Sequence, residues 1–298
     1  MKRPPLAQRE RLFAYALLAP AVVSVFALIA WPIYLIVSIS FREGKSLNFA
    51  ALGRRPFGLG NYEAVLGDPV TWHSAWVTLA YTFGTIVPAF AIGLVTALLL
   101  NSVFPLRRWL RSLMLLPWAV PGVMVSIVFL WLFDASFGVV NYMLRSIGVI
   151  RTDIAWYTNE STALIAVIVP TIWKAYPFFT LTLLAALQSI PSNLYEAAEV
   201  DGATRWRRFT DITWPGIRGA AVLVLILNGL WAFREFDIIF AATGGGPAKS
   251  TETLGIRAYN EAFGYFYMGR AAVIGVLMLA IALMFVLIAR RELRKEFF

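Results

Sequence analysis

The chain has 298 residues, of which 59% are hydrophobic and only 14% are charged, whereas ordinary soluble domains carry roughly 25% charged residues. This composition excludes a water-soluble globular fold and a disordered chain, and the lack of cysteine excludes a disulfide scaffold, a thiol nucleophile and a cysteine-bound metal. The net charge of +9 would suggest a nucleic-acid partner in a soluble protein, but membrane proteins also use Lys and Arg to set their topology. We therefore interpret the chain as a polytopic membrane protein.

Six apolar segments are long enough to cross a bilayer, which requires about 20 mostly apolar residues in a helix. Lys174 interrupts the fourth segment, and Arg234 and Glu235 interrupt the fifth. The sequence predicts an all-α polytopic membrane protein with six transmembrane helices, in a single transmembrane domain that covers residues 1–298. In chain order, the predicted helices cover about residues 12–39, 75–101, 112–133, 161–187, 217–240 and 271–289.

The distribution of Lys and Arg predicts the orientation of these helices. The two terminal segments, the segment after the second helix and the loop after the fourth helix carry the larger share of the basic residues. By the positive-inside rule, both termini are predicted to be cytoplasmic. The first apolar run is much longer than the roughly 7–15 residues of a signal-peptide core, so we expect it to remain as an anchor.

Prolines recur inside the predicted helices, where each removes a backbone donor and tends to kink the helix. Pro170 and Pro177 flank Lys174, which favours an irregular helix beside a wet cavity. The prolines inside the helices are Pro20, Pro32, Pro88, Pro117, Pro121, Pro170 and Pro177.

The longest predicted cytoplasmic loop, about residues 188–216, mixes both charge signs with apolar residues and is predicted to fold as a helical hairpin. Ser192 is the predicted N-cap of its first helix, and Gly202 is predicted to end that helix. A second short helix is predicted to begin at Arg205 and to stop at Pro215.

This loop carries the pattern E-A-A, three residues, G, nine residues, I-x-x-P. The pattern comprises Glu196-Ala197-Ala198, Gly202, Ile212 and Pro215. It resembles the EAA loop of inner-membrane permease subunits of binding-protein-dependent ABC importers. That family usually has Leu before the final Pro, where this chain has Trp214, which is also apolar.

Further segments resemble sugar permeases of this class, and the Gly-Gly-Pro segment is similar to the F-type half of maltose permeases. The resemblance implies a type I ABC importer permease fold with a cytoplasmic EAA coupling hairpin. The matching segments are Leu18-Ala19-Pro20, Trp31-Pro32, Ser38-Ile39-Ser40-Phe41, Gly60-Asn61-Tyr62, Trp173-Lys174, Pro177-Phe178, Phe233, Phe236-Asp237 and Thr243-x-Gly245-Gly246-Pro247.

The resemblance implies that the EAA loop docks on a cytoplasmic ATPase, of which the importer has two copies, and couples ATP hydrolysis to the membrane helices. The other implied partners are a second homologous permease subunit, an extracytoplasmic solute-binding protein and the lipid bilayer. This chain has no Walker-type G-x-x-x-x-G-K-[ST] sequence, so ATP and Mg are expected on the ATPase subunits and no cofactor on this chain. The predicted coupling residues are Glu196, Ala197, Ala198, Glu199, Asp201, Gly202 and Arg207.

Charges inside the fourth and fifth predicted helices mark a candidate substrate pathway. A lone lysine near the bilayer midplane costs about 2.5–3.5 kcal/mol on insertion scales, so Lys174 should face water or a partner, for which Glu235 is a candidate. Aromatic side chains there suit the C–H faces of sugars, although they are also common in helix packing, and the charges could instead form a structural ion pair or a gate. The predicted pathway residues are Trp173, Lys174, Tyr176, Phe178, Asn228, Trp231, Arg234 and Glu235. The resemblance also matches Ala175 and Ala232 to positions that line the sugar cavity of maltose-type permeases.

The sequence therefore predicts a transporter subunit that imports a di- or oligosaccharide across the cytoplasmic (inner) membrane of a bacterium or archaeon. The alternative within the same importer class is a glycerol-phosphate-like or polyol substrate. A membrane enzyme is disfavoured because no cluster of catalytic or metal-binding residues is visible, and His73, the sole histidine, is interpreted as an interfacial residue. A stand-alone channel or secondary transporter would have no use for the EAA pattern.

Overall fold

The computed structural model describes residues 6–46, 53–102 and 104–297. Within these ranges the chain is helical, and pairing of extended backbone is limited to two isolated bridges. The all-α prediction is confirmed. The helices are α1 (Leu6–Val25), α2 (Trp31–Ser40), α3 (Gly60–Leu66), α4 (Pro69–Asn101), α5 (Arg107–Leu113), α6 (Leu116–Ala119), α7 (Gly122–Leu132), α8 (Val139–Ser146), α9 (Glu160–Gln188), α10 (Ser192–Val200), α11 (Arg205–Arg208), α12 (Trp214–Phe233), α13 (Asp237–Ala242), α14 (Leu254–Tyr259) and α15 (Met268–Phe297).

The described residues contain five helical stretches that are long and apolar enough to cross a membrane. A sixth crossing results if the bent pair Arg107–Ala119 and Gly122–Leu132 is one span, with a bend of 95°. Five or six candidate spans are therefore present, against the six predicted. The five stretches are Phe13–Ser40, Pro69–Asn101, Glu160–Gln188, Arg205–Ala242 and Met268–Leu287.

The chain divides into two compact units, Met1–Asp68 with Ala258–Leu277 and Pro69–Arg257 with Met278–Phe298. The organisation of residues 1–298 as one transmembrane domain stays a prediction. The second unit contains the predicted substrate pathway and the predicted coupling loop.

In the first unit, the Gly60-Asn61-Tyr62 segment fastens the end of α2. The buried Asn61 amide donates to the carbonyls of Ser40 at 3.0 Å and Arg42 at 2.8 Å. The Tyr62 hydroxyl shares a 2.7 Å hydrogen bond with Ser40 Oγ. The two Asn61 bonds satisfy carbonyls that the helix end leaves without partners.

The core of the second unit lies where α4, α9 and α12 pack together. Gly93 permits the close approach of α4 to α9, since a Cβ atom there would lie 2.5 Å from Phe179 Cβ and 3.1 Å from the Thr180 nitrogen. Tyr81 of α4 is fully buried, and its hydroxyl shares a 2.6 Å hydrogen bond with Thr171 Oγ1 of α9. Small residues and satisfied polar groups thus hold these long helices together.

The third and fifth predicted helices are interrupted rather than continuous. In the third, Val120 is extended at φ −74° and ψ 131°, because the residue before a proline disfavours the helical conformation. Its neighbour Pro121 lacks the N–H that a continuous helix would need. In the fifth, α12 ends at Phe233 and α13 begins only at Asp237.

Candidate functional site

The two interrupted helices border a cavity of about 460 Å³ in the second unit. This volume lies within the range of roughly 300–1,000 Å³ that is typical of small-molecule sites. Its walls come from α4, α6, α9, α12 and the residues that join α12 to α13. The lining residues are Thr85, Ile86, Trp118, Thr171, Lys174, Ala175, Asn228, Trp231, Ala232, Arg234, Glu235, Phe236 and Asp237.

The cavity brings together part of the predicted substrate pathway. Trp173 is directed elsewhere and packs its ring against Phe129 of α7, with centroids 5.8 Å apart. Tyr176 packs against the core of the second unit. The predicted pathway residues that line the cavity are Lys174, Asn228, Trp231, Arg234 and Glu235.

Phe178 lies behind the cavity wall and supports its two tryptophans. Its ring meets Trp231 edge to face with centroids 5.1 Å apart, and it stacks on Trp118 at 6.1 Å. Aromatic pairs in such geometries stabilise one another beyond the area they bury. The cavity therefore presents two supported aromatic faces from different helices.

The charged residues Lys174 and Glu235 hydrogen-bond to backbone groups. Lys174 Nζ donates to the Val120 carbonyl at 2.9 Å. Glu235 Oε1 accepts from the backbone N–H of Ile238 at 3.2 Å. Both backbone groups lie beside the helix interruptions, so these side chains satisfy polar groups that the interruptions expose.

Sequence reasoning missed several residues of the cavity. Thr171 lies three residues before Lys174 on α9, and helical periodicity alone could have placed both on one face. Trp118 lies on α6 between Pro117 and Pro121, and the sequence alone does not show which way its side chain faces. Thr85 of α4 carries no sequence signal that distinguishes it from other membrane threonines. The residues missed are Thr85, Ile86, Trp118, Thr171, Phe236 and Asp237.

His73 is not among the residues that line the cavity. Its Nε2 atom lies 3.3 Å from the carbonyl oxygen of Lys249, within the second unit.

In the predicted coupling loop, α10 and α11 are joined through Gly202. Gly202 adopts φ +70°, the left-handed conformation that commonly ends a helix. The Ala203 N–H bonds to the Ala198 carbonyl at 2.9 Å, which closes the turn. Arg208 Nη1 lies 3.6 Å from Glu199 Oε2 and links the two helices.

Most of the residues predicted to couple to an ATPase are exposed in this loop. Ala198 is half-buried, and the neighbouring Val200 and Trp206 are 89% and 73% exposed. Arg207 Nε lies 3.4 Å from Asp211 Oδ2 along the same segment. The exposed predicted residues are Glu196, Ala197, Glu199, Asp201, Gly202 and Arg207.

Two local predictions for this loop are wrong. The N-cap is Pro191, and Ser192 is the first helical residue. The second helix does not stop at Pro215, because α11 continues through a π-helical turn, Phe209–Thr213, directly into α12. Proline is tolerated at the first turn of a helix, where its missing N–H needs no partner, and Pro215 occupies that position in α12.

Comparison with known families decides what kind of protein this is. The family described as binding-protein-dependent transport system inner membrane component matches residues 89–293. The chain belongs to this family. The family membership inferred from the EAA pattern is thereby confirmed.

Similar permeases cover nearly the whole chain. The sulfoquinovosyl glycerol transport system permease protein SmoG of Agrobacterium fabrum is 36% identical over 96% of this permease and 92% of its own length. The trehalose/maltose transport system permease protein MalF of Thermococcus litoralis is 35% identical over 89% of this permease and 86% of its own length.

A solved structure shows the same fold. One chain of a bacterial alginate ABC transporter, in complex with an alginate pentasaccharide-bound periplasmic protein, superposes with a TM-score of 0.82. It is 24% identical in sequence and covers 99% of this permease and 98% of its own length. The permease therefore has the fold of an ABC importer membrane chain.

Proposed function

We propose that this permease is the transmembrane subunit of an ATP-driven importer that passes a di- or oligosaccharide from an external binding protein into the cytoplasm. The aromatic-walled cavity of about 460 Å³ carries this proposal. Trp118 and Trp231 offer faces for the C–H surfaces of a sugar ring, and Asn228 offers an amide that can hydrogen-bond to sugar hydroxyls. The names of the relatives SmoG and MalF support a glycoside or sugar substrate.

In this proposal the exposed hairpin of α10 and α11 docks on a cytoplasmic ATPase subunit. Ala197 permits close approach, Glu196 can pair with a basic rim, and Gly202 fixes the turn. Two ATPase copies bind ATP and Mg, a second homologous permease completes the membrane part, and a solute-binding protein delivers the sugar from outside. The subunit spans the cytoplasmic membrane with both termini in the cytoplasm, as the distribution of basic residues predicts.

The charges of the cavity favour a neutral sugar over a glycerol-phosphate-like substrate. Two cations, Lys174 and Arg234, face the cavity together with two carboxylates, Glu235 and Asp237. Their formal charges balance, and Lys174 already donates to a backbone carbonyl. A site for a phosphorylated substrate would be expected to carry an excess of positive charge.

A competition assay separates the two substrate classes. In cells that express the complete transporter, we expect neutral di- and trisaccharides to inhibit uptake of a labelled neutral sugar. Phosphorylated sugars and glycerol phosphate should inhibit at least about tenfold less, because the two cations of the cavity are balanced by two carboxylates and leave no excess positive charge to offset the cost of desolvating a phosphate. Stronger inhibition by glycerol phosphate than by any neutral sugar would establish the alternative substrate class.

A further inference from the structure

The break in the third span leaves a backbone carbonyl without a helical partner. Helix α7 begins its hydrogen-bond ladder with the Val125 N–H, which donates to the Pro121 carbonyl at 3.1 Å. The Val120 carbonyl lies one residue before this ladder, on an extended residue. A carbonyl at such a depth in a membrane needs a partner, since unsatisfied backbone groups are costly where water is scarce.

Lys174 of α9 supplies that partner. Its Nζ lies 2.9 Å from the Val120 oxygen, and a hydrogen bond from a charged donor is roughly twice as strong as a neutral one. Pro170 and Pro177 flank Lys174 on α9. The ammonium therefore joins α9 to the point where the third span changes direction by 95°.

The same face of α9 contacts the broken span a second time. Phe178 follows Lys174 by four residues, one helical turn away on the same face, and its ring stacks on Trp118 at 6.1 Å. Trp118 precedes Val120 by only two residues and belongs to the four-residue helix α6. These two contacts fix where α6 lies and direct Trp118 toward the cavity.

The far side of the break is fastened to α13. Ser126 Oγ of α7 donates to the Ile238 carbonyl of α13 at 3.2 Å. Gly122 allows close approach, since a Cβ there would lie 3.2 Å from Asp237 Cβ. Because α7 is held by α13, Lys174 acts on the other part of the broken span, the junction between α6 and α7 at Val120.

We propose that Lys174 is a positioning residue whose hydrogen bond to the Val120 carbonyl holds α6 in place at the break of the third span and orients Trp118 toward the cavity. This hydrogen bond is called the brace below. The Lys174 ammonium donates to the Val120 carbonyl, and its role is to position α6 rather than to bind substrate. The consequence for transport rests on the function proposed above, whereas the brace itself can be measured without substrate, ATP or transport.

The brace is tested by cross-linking α6 to α9 in the assembled transporter. The natural chain has no cysteine, so a short bifunctional thiol reagent can join the pair Trp118→Cys and Phe178→Cys without competing thiols on this chain. In the absence of substrate and ATP, we expect Lys174→Met to slow cross-linking about tenfold, because one charge-assisted hydrogen bond no longer holds α6. Lys174→Arg, which keeps a charged donor of similar reach, should restore the rate.

Asn228→Leu is the matched control, because Asn228 lines the same cavity but donates to the Val224 carbonyl of its own helix at 3.0 Å. Its cross-linking rate should equal that of the parent pair. An unchanged rate in Lys174→Met overturns the brace, as does a change that appears only when sugar is added. If Lys174→Met in the otherwise natural chain abolished uptake while cross-linking of the cysteine pair stayed unchanged, Lys174 would likewise be assigned to substrate binding.

A separate cysteine checks that the Lys174→Met protein is folded. Ser74 is fully buried, so Ser74→Cys should stay unreactive toward thiol reagents in both backgrounds. Removing a charge from the membrane interior also lowers the insertion cost. If Ser74→Cys became reactive, the comparison moves to Lys174→Gln, whose amide ends short of the Val120 carbonyl, and a parental cross-linking rate in that variant would overturn the brace.

Discussion

Gly202→Val is expected to abolish association with the ATPase and to reduce sugar uptake by about tenfold or more. Gly202 holds φ +70° at the turn between α10 and α11, a conformation that a β-branched residue adopts only at considerable cost. Among the described residues, and apart from its two chain neighbours, no atom lies within 4 Å of the position that a Cβ would take there. The effect would therefore come from the altered backbone of the hairpin and not from a steric clash.

The matched control is Gly202→Asn, since asparagine tolerates the left-handed conformation better than other residues that have a side chain. Purification through a tag on the permease, followed by quantification of the bound ATPase, should show near-normal association for this variant and loss for Gly202→Val. Full association and uptake in Gly202→Val would exclude the proposed coupling role of the hairpin.

Trp231→Ala is expected to lower sugar uptake by about tenfold or more while the transporter still assembles. Trp231 lines the cavity and is supported edge to face by Phe178 at 5.1 Å. Truncation removes one of the two aromatic faces and leaves the exposed hairpin unaltered. Uptake measured together with ATPase association should therefore show a transport defect without an assembly defect.

Trp131→Ala provides the comparison, because Trp131 is 68% exposed on α7 and does not line the cavity. We expect near-normal uptake from that variant. Equal losses from the two substitutions would mean that Trp231 acts through general helix packing, and normal uptake in Trp231→Ala would remove this tryptophan from the substrate pathway.

Composition and apolar run length predicted the helical membrane fold, because a bilayer imposes both on any spanning chain. The breaks were harder to predict. Proline at 121 indicates a kink, but the carbonyl freed at the 95° bend is satisfied by Lys174, far along the chain on another helix. The sequence contains both the proline and the lysine, but it does not show that the lysine reaches the carbonyl of the residue before the proline.

The candidate site shows the same limit. Lys174 and Glu235 could be predicted as site residues because a charged side chain is energetically costly inside a membrane. That energetic cost does not reveal which groups the side chain contacts. In the structure both bond to backbone groups at helix breaks. Trp118 and Thr85 line the same cavity, but their positions depend on how distant helices pack, which one sequence does not reveal.

Reconstitution of the purified assembly into proteoliposomes tests the central claim most directly. With the binding protein and sugar outside and ATP at the ATPase side, we expect uptake that stops when ATP or the binding protein is omitted. Trp231→Ala and Gly202→Val should both reduce it, the first with the ATPase still bound and the second without it. ATP-independent uptake by this chain alone, driven by a proton gradient, would contradict the account.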